Sequence, residues 1–181
     1  MNNKEHSKFT SGLYRLNMFF VRLEEIFLAL LFFVLLVIMI TQVVNRYVLL
    51  ESSPWIPELS RFINVWIAYI GGSYVTFYWD HIDINVISPL INKYFKDSVY
   101  IEMVLEKISM LVSVIFILIF VNIFADFLVN AWDREKISPI MNISMVVPYI
   151  SVYIGSILMI FHGISIILLP KSIIKKPKWK Q

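Results

Sequence analysis

The sequence predicts an all-α membrane protein with four transmembrane helices, both chain ends on the inner side, and one or two amphipathic helices on the inner membrane surface. Hydrophobic residues make up 59% of the 181-residue chain, which is too apolar for an ordinary water-soluble domain. A helix of roughly 20 apolar residues crosses a bilayer core. Four stretches of this kind contain no charged residue: 26–45, 62–79, 108–125 and 137–170. The fourth is longer than one span, and we interpret it as an outer lead-in followed by a single helix.

The orientation of the chain follows from the placement of its positive charges. Twelve of the 16 Lys and Arg residues lie in the N-terminal segment, in the link between the second and third spans, and in the tail. Basic residues concentrate on the cytoplasmic side of membrane proteins. We therefore expect both termini to be cytoplasmic.

The first half of the chain contains a surface helix and two predicted spans. Residues 9–24 have apolar residues at helical spacing with charges interleaved, which predicts a helix on the inner surface. The first span, 26–45, then runs outward. A short outer loop with two prolines, Pro54 and Pro57, leads into the second span at 62–79.

The second half of the chain also contains a predicted surface helix and two predicted spans. Apolar residues recur at three- and four-residue steps over 84–96, which predicts a second surface helix. The third span is expected at 108–130 and the fourth at 145–169, separated by a polar outer stretch. No repeat or linker divides the chain, so residues 1–181 are expected to form one membrane domain.

The composition makes several kinds of chemistry improbable. The chain has no cysteine, which excludes disulfides, thiolate metal sites and thiol nucleophiles. It has no glycine-rich phosphate loop and no serine in a nucleophile motif. The basic tail Lys171–Lys180 follows a membrane helix, so we expect it to contact lipid headgroups and not nucleic acid. We therefore expect no catalytic residue, no cofactor and no enzyme activity.

Two histidines leave an alternative open. His81 follows the second span and His162 lies within the fourth, so the pair could hold a haem axially. A haem- or quinone-binding anchor of a redox complex is therefore the alternative function. Asp80, His81 and Asp83 could also bind a metal, but a polar cap where the helix leaves the membrane explains them more simply. For His162, a hydrogen bond to a neighbouring helix is the commoner role.

The polar residues at membrane depth do not form an obvious transport pathway. Thr41, Gln42, Asn64 and Asn122 are neutral, whereas chains that move ions usually keep an ionisable group at depth. Only Pro148 and Gly155 could interrupt a helix, and both lie in one span. An autonomous channel or exporter is thus a third, weaker hypothesis, and we expect no substrate-binding residue.

The outer side carries the most distinctive cluster of residues. Arg46 ends the first span, and Trp55, Glu58 and Arg61 precede the second. Glu58 and Arg61 are three residues apart and can pair on one helix face. Anchoring at the headgroup level explains these residues, since Trp and Arg favour that position. The functional hypothesis is that they contact a partner protein.

These motifs resemble those of a known family, the small membrane subunit of tripartite ATP-independent periplasmic (TRAP) transporters. The resemblance runs from Glu25 to about Met159. It includes Gln42-Val43-x-x-Arg46-Tyr47, Trp55-x-x-Glu58-x-x-Arg61, Trp66 with Gly71, Asp80-His81-Ile82, Ser138-Pro139, and then Met145, Tyr149, Gly155 and Met159. The chain departs from the family at Pro57, Asp83, Asn85, Ser144 and Tyr153.

The resemblance implies a division of labour between three proteins. A soluble periplasmic protein would capture a carboxylate-bearing solute such as sialic acid or a C4-dicarboxylate. A large membrane subunit, expected here as a separate chain, would move the solute inward with sodium. The chain itself would brace that large subunit in the bacterial inner membrane.

Overall fold

The computed structural model describes residues 3–78 and 98–168, and these residues are almost entirely helical. Four α-helices follow one another: α1 at Asn3–Val44, α2 at Trp55–Phe77, α3 at Ser98–Asp133 and α4 at Val146–Leu168. The only paired extended residues in the described part are Ile137 and Ser144, which form one isolated antiparallel bridge. The predicted all-α class is therefore confirmed. The expected surface helix at 84–96 lies outside the described residues.

Helix α1 differs from the sequence-based expectation. A surface helix at 9–24 and a separate span at 26–45 were predicted, but the structure has one uninterrupted helix of 42 residues. No glycine or proline occurs between Leu13 and Val44, so nothing in the sequence stops the helix there. Residues 9–24 are therefore continuous with the helix of the first predicted span, and their position at the membrane surface stays a prediction.

The outer end of α1 is a single π-helical turn. Asn45–Leu49 form this turn, and Leu50 follows in the left-handed conformation with φ 53°. The N–H of Glu51 then donates to the carbonyl of Asn45 at 3.0 Å. The Asn45 side-chain amide donates to the Ser53 hydroxyl at 2.8 Å, which fixes the loop that leads to α2.

Prolines begin two of the helices without interrupting them. Pro54 is the N-cap of α2, and Pro57 lies in its first turn. Pro148 lies in the first turn of α4. The first backbone N–H groups of a helix have no intrahelical acceptor, so a proline there costs no hydrogen bond. Neither α2 nor α4 is therefore a broken helix of the kind that holds substrate in many transporters.

Helix α4 is the centre of the bundle. It packs against α2 and α3, while α1 packs mainly against α2. Of the most apolar stretch in each helix, 44% is buried in α4, 11% in α3 and none in α1. A Cβ atom placed on Gly155 of α4 would lie 2.8 Å from backbone atoms of Tyr69, which shows how closely α2 and α4 approach.

Three of the helices are long and apolar enough to cross a membrane: Thr10–Leu49, Lys107–Asp133 and Val146–Leu168. Helix α2 is 23 residues long, but it is more polar and is not among the three. The chain is therefore a helical membrane protein. The assignment of α2 as a fourth span stays a prediction.

Candidate functional sites at the two ends of the bundle

The outer end of α2 is joined to the loop before α4 by the side chain of Glu58. Glu58 is buried, with 8% of its surface exposed, and its Oε2 accepts the backbone N–H of Met141 at 2.9 Å. The same N–H lies 3.3 Å from the hydroxyl of Ser138, which is fully buried. Glu58 therefore stabilises the loop from inside the protein.

The loop itself is a tight hairpin. The N–H of Ser138 donates to the carbonyl of Ile143 at 2.8 Å, and the N–H of Met145 donates to that of Lys136 at 2.8 Å. Asn142 takes the left-handed conformation at its tip, with φ 55°. The charge-free lead-in predicted before the fourth span is thus a folded element attached to α2.

The other residues of the predicted outer cluster face outward. Arg46 and Arg61 are exposed, and Trp55 has 41% of its surface exposed. The Arg46 guanidinium lies 5.5 Å from the centre of the Tyr47 ring. Between the described residues Glu58 and Arg61 the structure has no ion pair, since the Glu58 carboxylate points inward. Contact of Arg46, Trp55 and Arg61 with a partner stays a prediction.

A second polar site lies near the inner end of the bundle, where α1, α2 and α4 meet. Its four side chains are Asn17 and Glu24 of α1, Ser73 of α2 and His162 of α4. Asn17, Ser73 and His162 are fully buried, and Glu24 has 4% of its surface exposed. We call these four residues the inner polar cluster.

Hydrogen bonds connect the inner polar cluster through the histidine ring. Nδ1 of His162 contacts Oδ1 of Asn17, and Nε2 lies 3.3 Å from Oε1 of Glu24. The Ser73 hydroxyl donates to the same Glu24 oxygen at 2.6 Å. Two buried atoms, Nδ2 of Asn17 and Oε2 of Glu24, have no hydrogen-bond partner among the described residues. Buried polar groups without partners are rare in proteins.

Aromatic rings surround the cluster. The ring centre of His162 lies 5.7 Å from that of Phe77 and 5.6 Å from that of Phe161. Phe20 of α1 packs edge-on against Phe161 at 5.5 Å. This apolar surrounding strengthens hydrogen bonds inside the cluster and makes unpaired charge there costly.

The inner polar cluster shows which face of α1 is packed inside the protein. Asn17, Val21 and Glu24 are spaced by four and three residues, so they share one face of the helix. All three are buried, whereas Leu16 and Leu23 have nearly half of their surface exposed. The prediction of a surface helix rested on the apolar spacing over 9–24 and did not recognise this polar stripe.

The predicted roles of the other polar residues have mixed outcomes. His162 does bond to a neighbouring helix, as expected for a buried histidine. Both of its ring nitrogens are engaged, so it offers no free nitrogen to a haem iron. Asp80, His81 and Asp83, the predicted inner cap, lie outside the described residues. Among the residues that the structure describes, no group of three or more His, Asp or Glu side chains could hold a metal ion.

A groove between the outer halves of α3 and α4 is apolar. It has a volume of about 330 Å³ and is lined by Leu128, Val129, Trp132, Val146 and Ile150. These side chains offer no ionisable group to a solute. The groove therefore lacks the polar contacts with which proteins orient a charged small molecule.

The fold and these two sites define a helical membrane subunit whose buried polar side chains join helices and loops to one another. A comparison with protein families gives the particular kind. Residues 35–170 match the family described as tripartite ATP-independent periplasmic transporters, DctQ component, and the chain belongs to that family. The family is a transporter component and not an enzyme. A comparison with individually curated proteins gives no match.

Proposed function

We propose that the chain is the scaffold subunit of a sodium-driven uptake transporter, and that it braces a separate large membrane subunit that moves the solute. Membership in the DctQ family supports a small permease subunit. The scaffold role goes beyond what the family description states. It is supported by the hydrogen bonds that the buried polar groups of the chain form within the chain.

The observation that carries this proposal is the internal use of the buried polar groups. Glu58 bonds to a backbone N–H of its own outer loop. Glu24 of α1 and His162 of α4 bond to each other, and they also bond to Asn17 of α1 and Ser73 of α2. A carboxylate that carries solute or sodium would need to be exchangeable with water and with the cargo. Side chains committed to helix contacts suit a stationary brace.

The uncovered helices support the same conclusion. The most apolar stretches of α1 and α3 are 0% and 11% buried within the chain. Their surfaces are therefore available to lipid and to a larger membrane protein. We propose four spans with both termini in the cytoplasm of a bacterium, in its inner membrane, with α2 as the fourth span.

The remaining partners follow from the family description. We propose that a periplasmic solute-binding protein delivers a carboxylate-bearing solute, such as sialic acid or a C4-dicarboxylate, to the assembled membrane subunits. Arg46, Trp55 and Arg61 are exposed at the outer end and are proposed to contact a partner there. The haem- or quinone-anchor alternative is not favoured, because the family is a transporter component.

Reconstitution tests the scaffold role. The tagged chain is purified in mild detergent, and the proteins that accompany it are identified. We expect a much larger polytopic protein. Proteoliposomes are then prepared with the chain alone, with the large subunit alone, and with both, each with the binding protein and an inward sodium gradient.

The expected result is uptake only when both membrane subunits are present. Replacing sodium with choline should abolish it. Uptake by the purified chain alone would overturn the scaffold role. Full uptake by the large subunit alone would also overturn it, because no brace would then be needed.

A further inference from the structure

The protonation of the inner polar cluster follows from which atoms face each other. We propose that His162 and Glu24 form a buried proton-binding site that holds two protons. One proton is on Nδ1 of His162, and the other is shared between Nε2 and Oε1 of Glu24. The cluster then carries no net charge. This inference concerns the cluster alone and is independent of the scaffold role.

The first proton is placed by Asn17. Its Oδ1 atom faces Nδ1 of His162, and a carbonyl oxygen can only accept a hydrogen bond. Nδ1 must therefore carry a hydrogen and donate it. In a neutral imidazole with that tautomer, the other ring nitrogen is a bare acceptor.

The second proton is required by the contact between Nε2 of His162 and Glu24. Nε2 of His162 and Oε1 of Glu24 are 3.3 Å apart. A bare nitrogen and an ionised carboxylate are both acceptors and would repel each other. The Ser73 hydroxyl donates its hydrogen to Oε1, but it supplies no hydrogen to the contact between Nε2 and Oε1. One proton must lie between Nε2 and Oε1, either as imidazolium with carboxylate or as neutral imidazole with carboxylic acid.

The competing arrangement has the Asn17 amide reversed. Nδ2 would then donate to a bare Nδ1, and Nε2–H would donate to an ionised Glu24. The cluster would hold one proton fewer and carry one negative charge. An uncompensated buried charge costs several kcal/mol, on the order of what removing one partner of a buried pair costs.

Among residues 3–78 and 98–168, which the structure describes, no cation is placed to compensate that charge. In the part of the chain that the structure describes, the Glu24 carboxylate has no ion pair except with His162. The charged groups of the surrounding helices, Arg15, Arg22 and Glu25 of α1 and Lys107 of α3, are exposed. Helix α2 contributes only the phenols of Tyr74 and Tyr78 near Glu24 and Glu25, and α4 has no charged residue. The neutral arrangement is therefore favoured.

The unpartnered oxygen of Glu24 supports the same count. Oε2 is buried and accepts no hydrogen bond from the described residues. Without the shared proton, the carboxylate would keep a full negative charge that no donor at Oε2 offsets, whereas a proton between Nε2 and Oε1 compensates that charge. Removing the shared proton would set two acceptors against each other. Proton occupancy is thereby coupled to the contact between α1 and α4.

Nuclear magnetic resonance of ¹⁵N-histidine tests the proton count on the full chain, purified in mild detergent at pH 7.5. The signal of His162 is assigned by its loss in His162→Gln. Infrared difference spectra between the wild-type chain and Glu24→Gln show whether Glu24 has a protonated carboxyl band. Glu25→Gln, next to Glu24 but exposed, is the matched control and should change neither the His162 nitrogen signal nor the protonated carboxyl band.

We expect Nδ1 to be protonated, together with one of two results. Either Nε2 is protonated and Glu24 is ionised, or Nε2 is bare and Glu24 gives a protonated carboxyl band. An unprotonated Nδ1 would overturn the proposal. A bare Nε2 beside an ionised Glu24, or an imidazolium beside a protonated Glu24, would overturn it as well. A chain in which both other histidines, His6 and His81, are replaced by glutamine keeps His162 as its single histidine, so its nitrogen spectrum decides the Nδ1 question even if the cluster variants fold poorly.

Discussion

The Glu58 carboxylate and the backbone N–H of Met141 are 2.9 Å apart, although the two residues are separated by 83 positions in the chain. This hydrogen bond attaches the hairpin before α4 to the first turn of α2. It places the one acidic residue of that turn inside the protein, where it is 8% exposed. The acid predicted to contact a partner is therefore first of all a structural tie between two outer elements.

Glu58→Ala should loosen the outer hairpin. A buried hydrogen bond to a charged acceptor contributes about 2 kcal/mol, so the opening equilibrium should rise roughly 30-fold. Trypsin can cut after Arg134 and Lys136, and the Lys136 carbonyl is hydrogen-bonded in the closed hairpin. The cleavage rate at these sites measures the opening.

Glu51→Ala is the control for this substitution, because Glu51 is an exposed acid of the neighbouring outer loop. Its cleavage rate should match that of the wild-type chain. Glu58→Gln keeps an acceptor oxygen and should fall between the two. Equal cleavage of the Glu58→Ala and Glu51→Ala chains would contradict the structural role of Glu58.

Gly155→Ala should destabilise the bundle, whereas Gly71→Ala should not. A Cβ atom at Gly155 would lie 2.8 Å from the Tyr69 backbone, which cannot rotate away. Overpacking of this kind costs about 1–3 kcal/mol. At Gly71 the nearest atom, Cδ2 of Leu28, lies at 3.8 Å, an ordinary contact. Alanine at this position replaces a helical glycine and should raise the free energy of unfolding by up to about 1 kcal/mol.

Thermal unfolding in detergent, followed by circular dichroism, measures both glycine variants. The melting temperature should fall for Gly155→Ala and stay level or rise for Gly71→Ala. A fall of similar size in both variants would show that the close approach of α2 and α4 is not the cause.

Arg61→Glu should lower uptake by the assembled transporter without unfolding the chain. Arg61 is exposed, so its reversal should change the free energy of unfolding by less than about 0.5 kcal/mol. If it faces a partner, charge repulsion should slow assembly or docking and reduce uptake roughly tenfold. Uptake in proteoliposomes and co-purification of the large subunit are the two measurements.

Arg134→Glu is the matched control, because Arg134 is another exposed arginine of the outer side. Uptake by the transporter assembled with the Arg134→Glu chain should stay close to the wild-type value. Unchanged uptake in Arg61→Glu would assign Arg61 to simple anchoring at the headgroups.

The purified chain should show no Soret absorption when it is produced with added haem. Both ring nitrogens of His162 are engaged with Asn17 and Glu24, and the ring is fully buried. A Soret band that is lost in His162→Ala but kept in His6→Ala would contradict the inner polar cluster as described.

Helix type could be predicted from the sequence because it depends on local composition. Long charge-free stretches of apolar residues indicated the helices, and α4 at Val146–Leu168 falls within the predicted span 145–169. The first residues of α2 and α3 were harder to predict from the sequence. Charge-free blocks mark where a helix is apolar, whereas α2 begins already at Trp55 and α3 at Ser98. Charged residues near a helix end do not stop the helix.

The polar contacts could not be predicted, because they join residues far apart in the chain. In the sequence, Ser73 is one of several serines within the apolar stretches, and Glu24 is one of the charges interleaved with apolar residues over 9–24. Nothing local distinguishes Glu24 from Glu25, yet one is buried and the other exposed. The stripe formed by Asn17, Val21 and Glu24 was the available signal. It gains meaning only once α2 and α4 supply its partners.

The contact between Asn17 and His162 also sets an order of events during synthesis. The two residues are 145 positions apart, and α1 leaves the ribosome first. At about 5–20 residues per second, His162 follows roughly 7–30 seconds later. Until then Asn17 and Glu24 have no histidine to bond, although α1 can already pack against α2. A nascent chain cut short before α4 would leave Asn17 and Glu24 without their histidine partner.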